Sequence, residues 1–120
     1  MLKGLFLDDE RNLEDVTWIK YPDNIEWIVV RDSAEFTDKF WDIMKSGKDY
    51  VVSFDHDIQD FYGQLVLTGY SNLKGMLDAI HYYGLTVPVC YFHTKNPIGK
   101  KNMEMYYKNF VEFYAEEMEK

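Results

Sequence analysis

Three short apolar runs each end in side chains that can hold a cation or move a proton. Leu5-Phe6-Leu7 runs into Asp8-Asp9-Glu10, Val51-Val52-Ser53-Phe54 into Asp55-His56-Asp57, and Val89-Cys90-Tyr91-Phe92 into His93-Thr94. If the runs are strands of one parallel sheet, their carboxyl ends share an edge. That edge is where open α/β folds bind ligands. Asp8, Asp9, Asp55 and Asp57 gathered there would repel one another at neutral pH, so a cation is the natural occupant. Oxygen ligands at a strand end suit Mg²⁺ or Mn²⁺, which keep several waters and bind through one or two carboxylates plus phosphate.

The third run adds different chemistry. Asn96-Pro97 reads as the cap and first residue of a helix, four residues beyond the strand. The free N–H groups and positive dipole end of that helix then face the same edge, a ready anion site. Each residue also has a plainer reading. Asn96 can be a cap alone, Lys100 and Lys101 solvated helix charges, and His93 a satisfied residue at a strand end. Cys90 reads as a small core residue and His81 as structural. Phe61 and Tyr62 could stack a base or cover the core.

The elements that must position these side chains are legible in outline. Leu2 to Leu7 is nearly all apolar, as a strand covered on both faces should be. A polar, aromatic-bearing crossover follows, with a short helix around Leu13 to Ile19, then a turn at Pro22-Asp23-Asn24 and a second strand from Glu26 to Val30. Asp32 to Lys45 reads as a helix, with Asp32 and Glu35 at capping-box spacing and Gly47 as the stop. Tyr50 to Phe54 is a third strand, followed by a long loop over Ile58 to Tyr70. A helix capped by Ser71 and ended by Gly84 leads to a fourth strand, Val87 to Phe92. The last helix carries Met103, Tyr107, Phe110, Val111, Tyr114 and Met118 at helical spacing. Alternation of this kind predicts an α/β fold, a flavodoxin/receiver-like three-layer sandwich on a four-stranded parallel sheet of order 2-1-3-4.

Length and charge narrow the function classes. A chain of 120 residues with no composition break is read as a single domain, 1–120. A formal charge of −8 argues against broad nucleic-acid binding, though not against recognition of one phosphate or one RNA end. Lys95, Lys100, Lys101 and Lys108 concentrate positive charge after the third run. One cysteine permits no internal disulfide. The chain has no apolar stretch of membrane-spanning length and no signal-peptide pattern, so a soluble cytoplasmic protein without membrane attachment is expected.

At these residues the chain resembles the cyclic-phosphate-processing receiver-like family, related to the receiver domains of response regulators. The resemblance rests on Leu5-Phe6-Leu7-Asp8-Asp9-Glu10-Arg11, Ser53-Phe54-Asp55-His56-Asp57, Thr68-Gly69, and His93-Thr94-Lys95-Asn96-Pro97-Ile98-Gly99-Lys100-Lys101-Asn102-Met103. It implies processing of cyclic phosphates, such as those at RNA ends, through the acidic and His residues. Asp8, Asp9, Asp55, His56, Asp57, His93 and Asn96 fall on the motif positions. Thr94 stands where Ser is usual, and Ile58-Gln59 where Leu-Gly is usual. The fifth strand of a receiver, with its Lys, is absent, which argues against a phosphorylation switch.

The leading expectation is a metal-dependent phosphoesterase that opens a cyclic phosphate, on an RNA 2',3'-cyclic end or a small cyclic nucleotide. Asp8, Asp9 and Asp55 would hold Mg²⁺ or Mn²⁺, and Asp57 would support the ion or position water. His56 and His93 would serve as general acid and base, since imidazole titrates near neutrality. Arg11, Thr94, Asn96 and Lys100 would contact the substrate. Two other classes stand beside it: a non-catalytic module that sequesters a nucleotide, and a receiver that accepts a phosphoryl group on Asp55.

Overall fold

The computed structural model describes residues 2–59 and 65–119, without the side chains of residues 57–59 and 65–67. Four parallel strands form the central sheet. They are β1 (Leu2–Leu7), β2 (Ile25–Val30), β3 (Tyr50–Phe54) and, after a short antiparallel hairpin of β4 (Asp57–Gln59) and β5 (Leu65–Thr68), β6 (Val89–Phe92). The spatial order is β2-β1-β3-β6, so the sheet has the expected 2-1-3-4 arrangement. Leu7 pairs with Val30 and Phe54, and Phe54 pairs with Phe92. The four strands therefore end level with one another. The residues that follow them, Asp8, Arg31, Asp55 and His93, are brought to a single edge.

Side chains alternate across a strand, and the two sheet faces are covered differently. Leu5, Leu7, Val52, Phe54 and Phe92 join one buried cluster with residues of α1 (Ser33–Ser46), α2 (Gly69–Tyr83) and α3 (Pro97–Met118). Phe36, Phe40 and Ile43 come from α1, Leu73, Met76, Leu77 and Ile80 from α2, and Met103 and Tyr114 from α3. On the other face the layer is the crossover between β1 and β2. Right-handed connections place it there, because that crossover runs in the opposite direction along the sheet from those leading to β3 and β6. Its Tyr21 ring meets Trp27 and Tyr91 edge-on, at 4.9 and 5.1 Å between centroids. Gly4 makes room for the Trp27 ring of β2, on which Tyr21 packs: a Cβ there would lie 2.6 Å from that ring.

Several element boundaries differ from the sequence expectation. The helix expected around Leu13 to Ile19 is only a 3₁₀ turn, Leu13–Asp15. The expected loop over Ile58 to Tyr70 contains part of the β4–β5 hairpin. The Leu65-Val66-Leu67-Thr68 run is too short to announce itself beside the polar residues around it. The cap of α2 is Thr68 rather than Ser71, its hydroxyl accepting the Ser71 N–H at 3.0 Å. β6 begins at Val89, since Pro88 has no N–H to give to a ladder. His81 is exposed, with Phe113 against its ring edge at 5.2 Å. The helix signals of α1 hold with one displacement. Asp32 accepts the Glu35 N–H at 2.8 Å, while the Glu35 carboxylate reaches back to the N–H of Arg31.

The early start of α2 matters for the site. Gly69 packs so closely on the end of β3 that a Cβ would lie 1.5 Å from the Asp55 carbonyl oxygen. Gly69→Ala is therefore expected to push the Asp55 backbone away and lower stability by about 1–3 kcal/mol or more. Chemical denaturation checks this, and an unchanged midpoint would contradict the close approach.

Candidate active site

Asp8 is the centre of the carboxyl edge. It is 1% exposed, and both of its oxygens are engaged. Oδ1 accepts the backbone N–H groups of Glu10 and Arg11 at 2.9 and 2.8 Å, a turn that the short Asp side chain favours. Oδ2 faces His93 Nε2 at 3.1 Å and the Arg11 guanidinium at 3.5 Å. The same guanidinium nitrogen lies 3.8 Å from Asp55 Oδ1. Arg11 thus straddles the two carboxylates. Arg31, at the end of β2, fixes the turn by donating to the carbonyls of Asp8 and Arg11 at 3.2 and 2.6 Å, and to Asn12 Oδ1.

A polar chain runs behind Asp8 into the sheet. His93 is fully buried, its ring stacked on Phe6 with centroids 4.3 Å apart. Its Nδ1 lies 2.7 Å from Ser53 Oγ, and Ser53 Oγ lies 2.7 Å from the Tyr21 hydroxyl. Burial pushes the Tyr21 phenol up to about 12, so it remains a donor. With an ionised Asp8 accepting from Nε2–H, the consistent pattern is Tyr21 to Ser53, Ser53 to Nδ1, and Nε2 to Asp8. Among the described residues, no buried side-chain nitrogen or oxygen lacks a partner.

The two carboxylates are driven apart electrostatically. Burial pushes Asp8 upward, but the His93 hydrogen bond and the N–H groups of Arg11 and Glu10 outweigh it and hold Asp8 below its ordinary 3.8. Asp55 is raised, first by burial and then by the Asp8 charge, against the opposing pull of the His56 N–H, His93 and Arg11. A raised folded-state value means that the native protein holds the Asp55 proton more tightly than the unfolded chain. This contribution makes stability fall as pH rises from 3.8 through the folded-state value. Asp55→Asn is therefore expected to stabilise the metal-free protein at pH 7, with the advantage fading as pH drops toward 3.8. Thermal melts across pH check it, and an Asn variant less stable at pH 7 would contradict it.

Asp8, Asp9, Glu10, Arg11, Asp55, Thr94, Lys95 and Asn96 line a pocket of about 280 Å³ at this edge. Thr94 Oγ1 accepts the Asn96 N–H at 3.1 Å, and Asn96 Oδ1 caps α3 by accepting from the Gly99 N–H at 3.0 Å. Of the residues expected at the site, the fold brings together Asp8, Asp9, Arg11, Asp55, Thr94 and Asn96 in the pocket, with His93 directly behind Asp8. His56 is not part of that lining; its ring lies against Gly99 in the first turn of α3, where a Cβ would lie 2.5 Å from Cδ2. Lys100 lies outside the lining, 3.9 Å from Glu104 on its own helix. The side chain of Asp57, and the whole of Phe61 and Tyr62, lie outside the described residues.

The oxygen donors suit a hard divalent cation. Asp8, Asp55 and His93 offer ligand atoms within 4.8 Å of one another. The His93 nitrogens already face Asp8 and Ser53, so the set presents oxygens at the pocket. Asp9 adds a further carboxylate to the lining. Arg11 is the competing cation. Arg11→Gln is expected to enlarge the rise in melting temperature that Mg²⁺ or Mn²⁺ produces, because the ion then displaces no guanidinium. An equal or smaller rise would mean that Arg11 does not occupy the cation's place.

Sequence reasoning missed Arg31, Ser53, Tyr21 and Trp18, and named Glu10 only as part of the acidic cluster. Trp18 donates its indole N–H to the His93 carbonyl at 3.0 Å. Only the side-chain alternation of β3 gives any signal here, since Ser53 is a lone hydroxyl in an apolar strand.

The parallel sheet and the acidic pocket at its carboxyl edge define a receiver-like, flavodoxin-like α/β protein. Residues 3–109 match the family described as Cyclic-phosphate processing Receiver domain, and the chain belongs to that family. No curated protein and no solved structure matches it. Among the described residues, no helix is long and apolar enough to cross a membrane.

Proposed function

We propose that the pocket opens a five-membered cyclic phosphate by adding water, with a divalent cation held by Asp8, Asp9 and Asp55. The cation would polarise the phosphoryl oxygens and stabilise charge that develops on them. The observation that carries the reading is the composition of the pocket: two buried carboxylates with opposed pKa shifts, ringed by Arg11, Lys95 and Thr94. An acidic floor suits a cation and a basic rim suits a phosphate.

In the reaction a P–O bond to water forms, the P–O bond to one ring oxygen breaks, and a proton passes from the water to that leaving oxygen. Arg11 and Lys95 grip the non-bridging oxygens, and Thr94 offers its hydroxyl. Asp55, whose charge burial and the Asp8 carboxylate disfavour in the metal-free protein, gains most from a cation beside it. His93 works from behind: its Nε2–H holds Asp8 ionised and aimed at the pocket, so it is a positioning residue. A turnover screen of cyclic mononucleotides and cyclic-phosphate-ended RNA, with and without Mg²⁺ or Mn²⁺, tests this reading. Metal-dependent conversion to a phosphomonoester is expected. Recovery of every cyclic phosphate unchanged would favour sequestration.

A further inference from the structure

We infer that Trp18 forms a nucleobase subsite beside the phosphate pocket, which makes the substrate a nucleoside cyclic phosphate; the inference rests on the reading of the pocket given above. Trp18 is 37% exposed, yet its indole is fixed by the N–H bond to the His93 carbonyl. An exposed aromatic ring with a locked orientation is a preformed stacking plane, since little freedom is lost when a flat partner lies on it. The ring also adjoins the chemistry. The Arg11 guanidinium that touches both carboxylates lies 5.5 Å from its centroid, so the indole stands one side chain away from Asp8 and Asp55.

The ring already attracts cations from the pocket. Lys95 Nζ, which lines the pocket, lies 4.4 Å from the Trp18 centroid. Its flexible stem lets the ammonium move from the ring to an incoming phosphate, whereas the planar Arg11 can stay beside both the ring and the anion. The ring face that Lys95 leaves is then open to the base attached to that phosphate through its ribose. Stacking of this kind tolerates any base, so the subsite selects for a nucleoside rather than for a sequence.

The test compares adenosine 2',3'-cyclic phosphate, an oligoribonucleotide ending in the same group, and glycerol 1,2-cyclic phosphate, which has the ring without the base. Binding is read by indole fluorescence in a Trp27→Phe/Trp41→Phe background, where Trp18 is the one remaining tryptophan, and by calorimetry for Trp18→Ala and Trp18→Phe in the otherwise native chain. The adenosine compound should quench Trp18 and bind about 10–100-fold more tightly than the glycerol compound. Trp18→Ala should erase that preference while leaving the glycerol compound within about twofold, and Trp18→Phe should restore most of it. Tight binding of the oligoribonucleotide as well would identify an RNA end as the source. Tight binding of the mononucleotide alone would identify the free nucleotide. Equal binding of the adenosine and glycerol compounds, or equal weakening of both by Trp18→Ala, overturns the subsite and leaves the cyclic-phosphate reading standing. If none of the three is bound, both readings fall.

Discussion

Asp8→Ala is expected to lower stability by about 3–5 kcal/mol, the size of effect seen when one member of a buried charged network is removed. The substitution leaves the N–H groups of Glu10 and Arg11 and the His93 imidazole without their acceptor, and takes from the Arg11 guanidinium the nearer of its two carboxylates. Asp55 gains slightly from the lost repulsion, but that relief is smaller than the loss of these contacts. Asp8→Asn should cost less, because its amide oxygen can still accept both backbone N–H groups while its NH₂ faces His93. Urea unfolding of the three proteins gives the order wild type, Asn, Ala. A loss below ~1 kcal/mol for Ala would mean that Asp8 does not organise the edge, since that is within reach of a single ordinary hydrogen bond. The same variant should lose the metal-induced rise in melting temperature.

His93→Ala is expected to lower turnover by about 10–100-fold, the range for a partner that orients a metal-binding carboxylate. His93 touches Asp8 rather than the pocket, so its removal acts through that carboxylate. Without the Nε2–H bond, Asp8 loses the strongest influence holding its pKa down and protonates at higher pH. The acid limb of the pH–rate profile should therefore move upward in the variant, a change that simple loosening of the fold would not produce. Metal-dependent stabilisation should persist at pH 8, where Asp8 and Asp55 remain to supply oxygens. Wild-type turnover with an unshifted acid limb would remove His93 from the account.

The parts of this molecule that were readable in the sequence are those with local causes. Largely apolar runs mark β1 and β3, the Asp32 and Asn96 caps and the Gly47 and Gly84 stops mark helix ends, and level strand ends follow from parallel pairing. Asp8 and Asp55 could be placed at one edge for that reason alone. What escaped depends on contacts distant in sequence. The alternation rule sends Asp55 and His56 to different sides, but only packing of α3 on the sheet puts the His56 ring against Gly99. The pairing of Ser53 with His93 spans forty residues, and Trp18 meets the His93 carbonyl across seventy-five. Lys100 has the right charge and lies near the right helix end, yet it sits one turn past the pocket and pairs with Glu104. In the short β5, four residues are too few for periodicity to separate strand from loop.

Conversion of a 2',3'-cyclic nucleotide, followed by ³¹P NMR with the purified chain, tests the central claim most directly. With Mg²⁺ or Mn²⁺ present, the signal of the five-membered cyclic phosphate should give way to that of a phosphomonoester. Chelation of the metal should stop the conversion, and Asp55→Asn should slow it severely. A cyclic signal that persists unchanged with either cation, at protein concentrations sufficient to bind the nucleotide, would contradict the account.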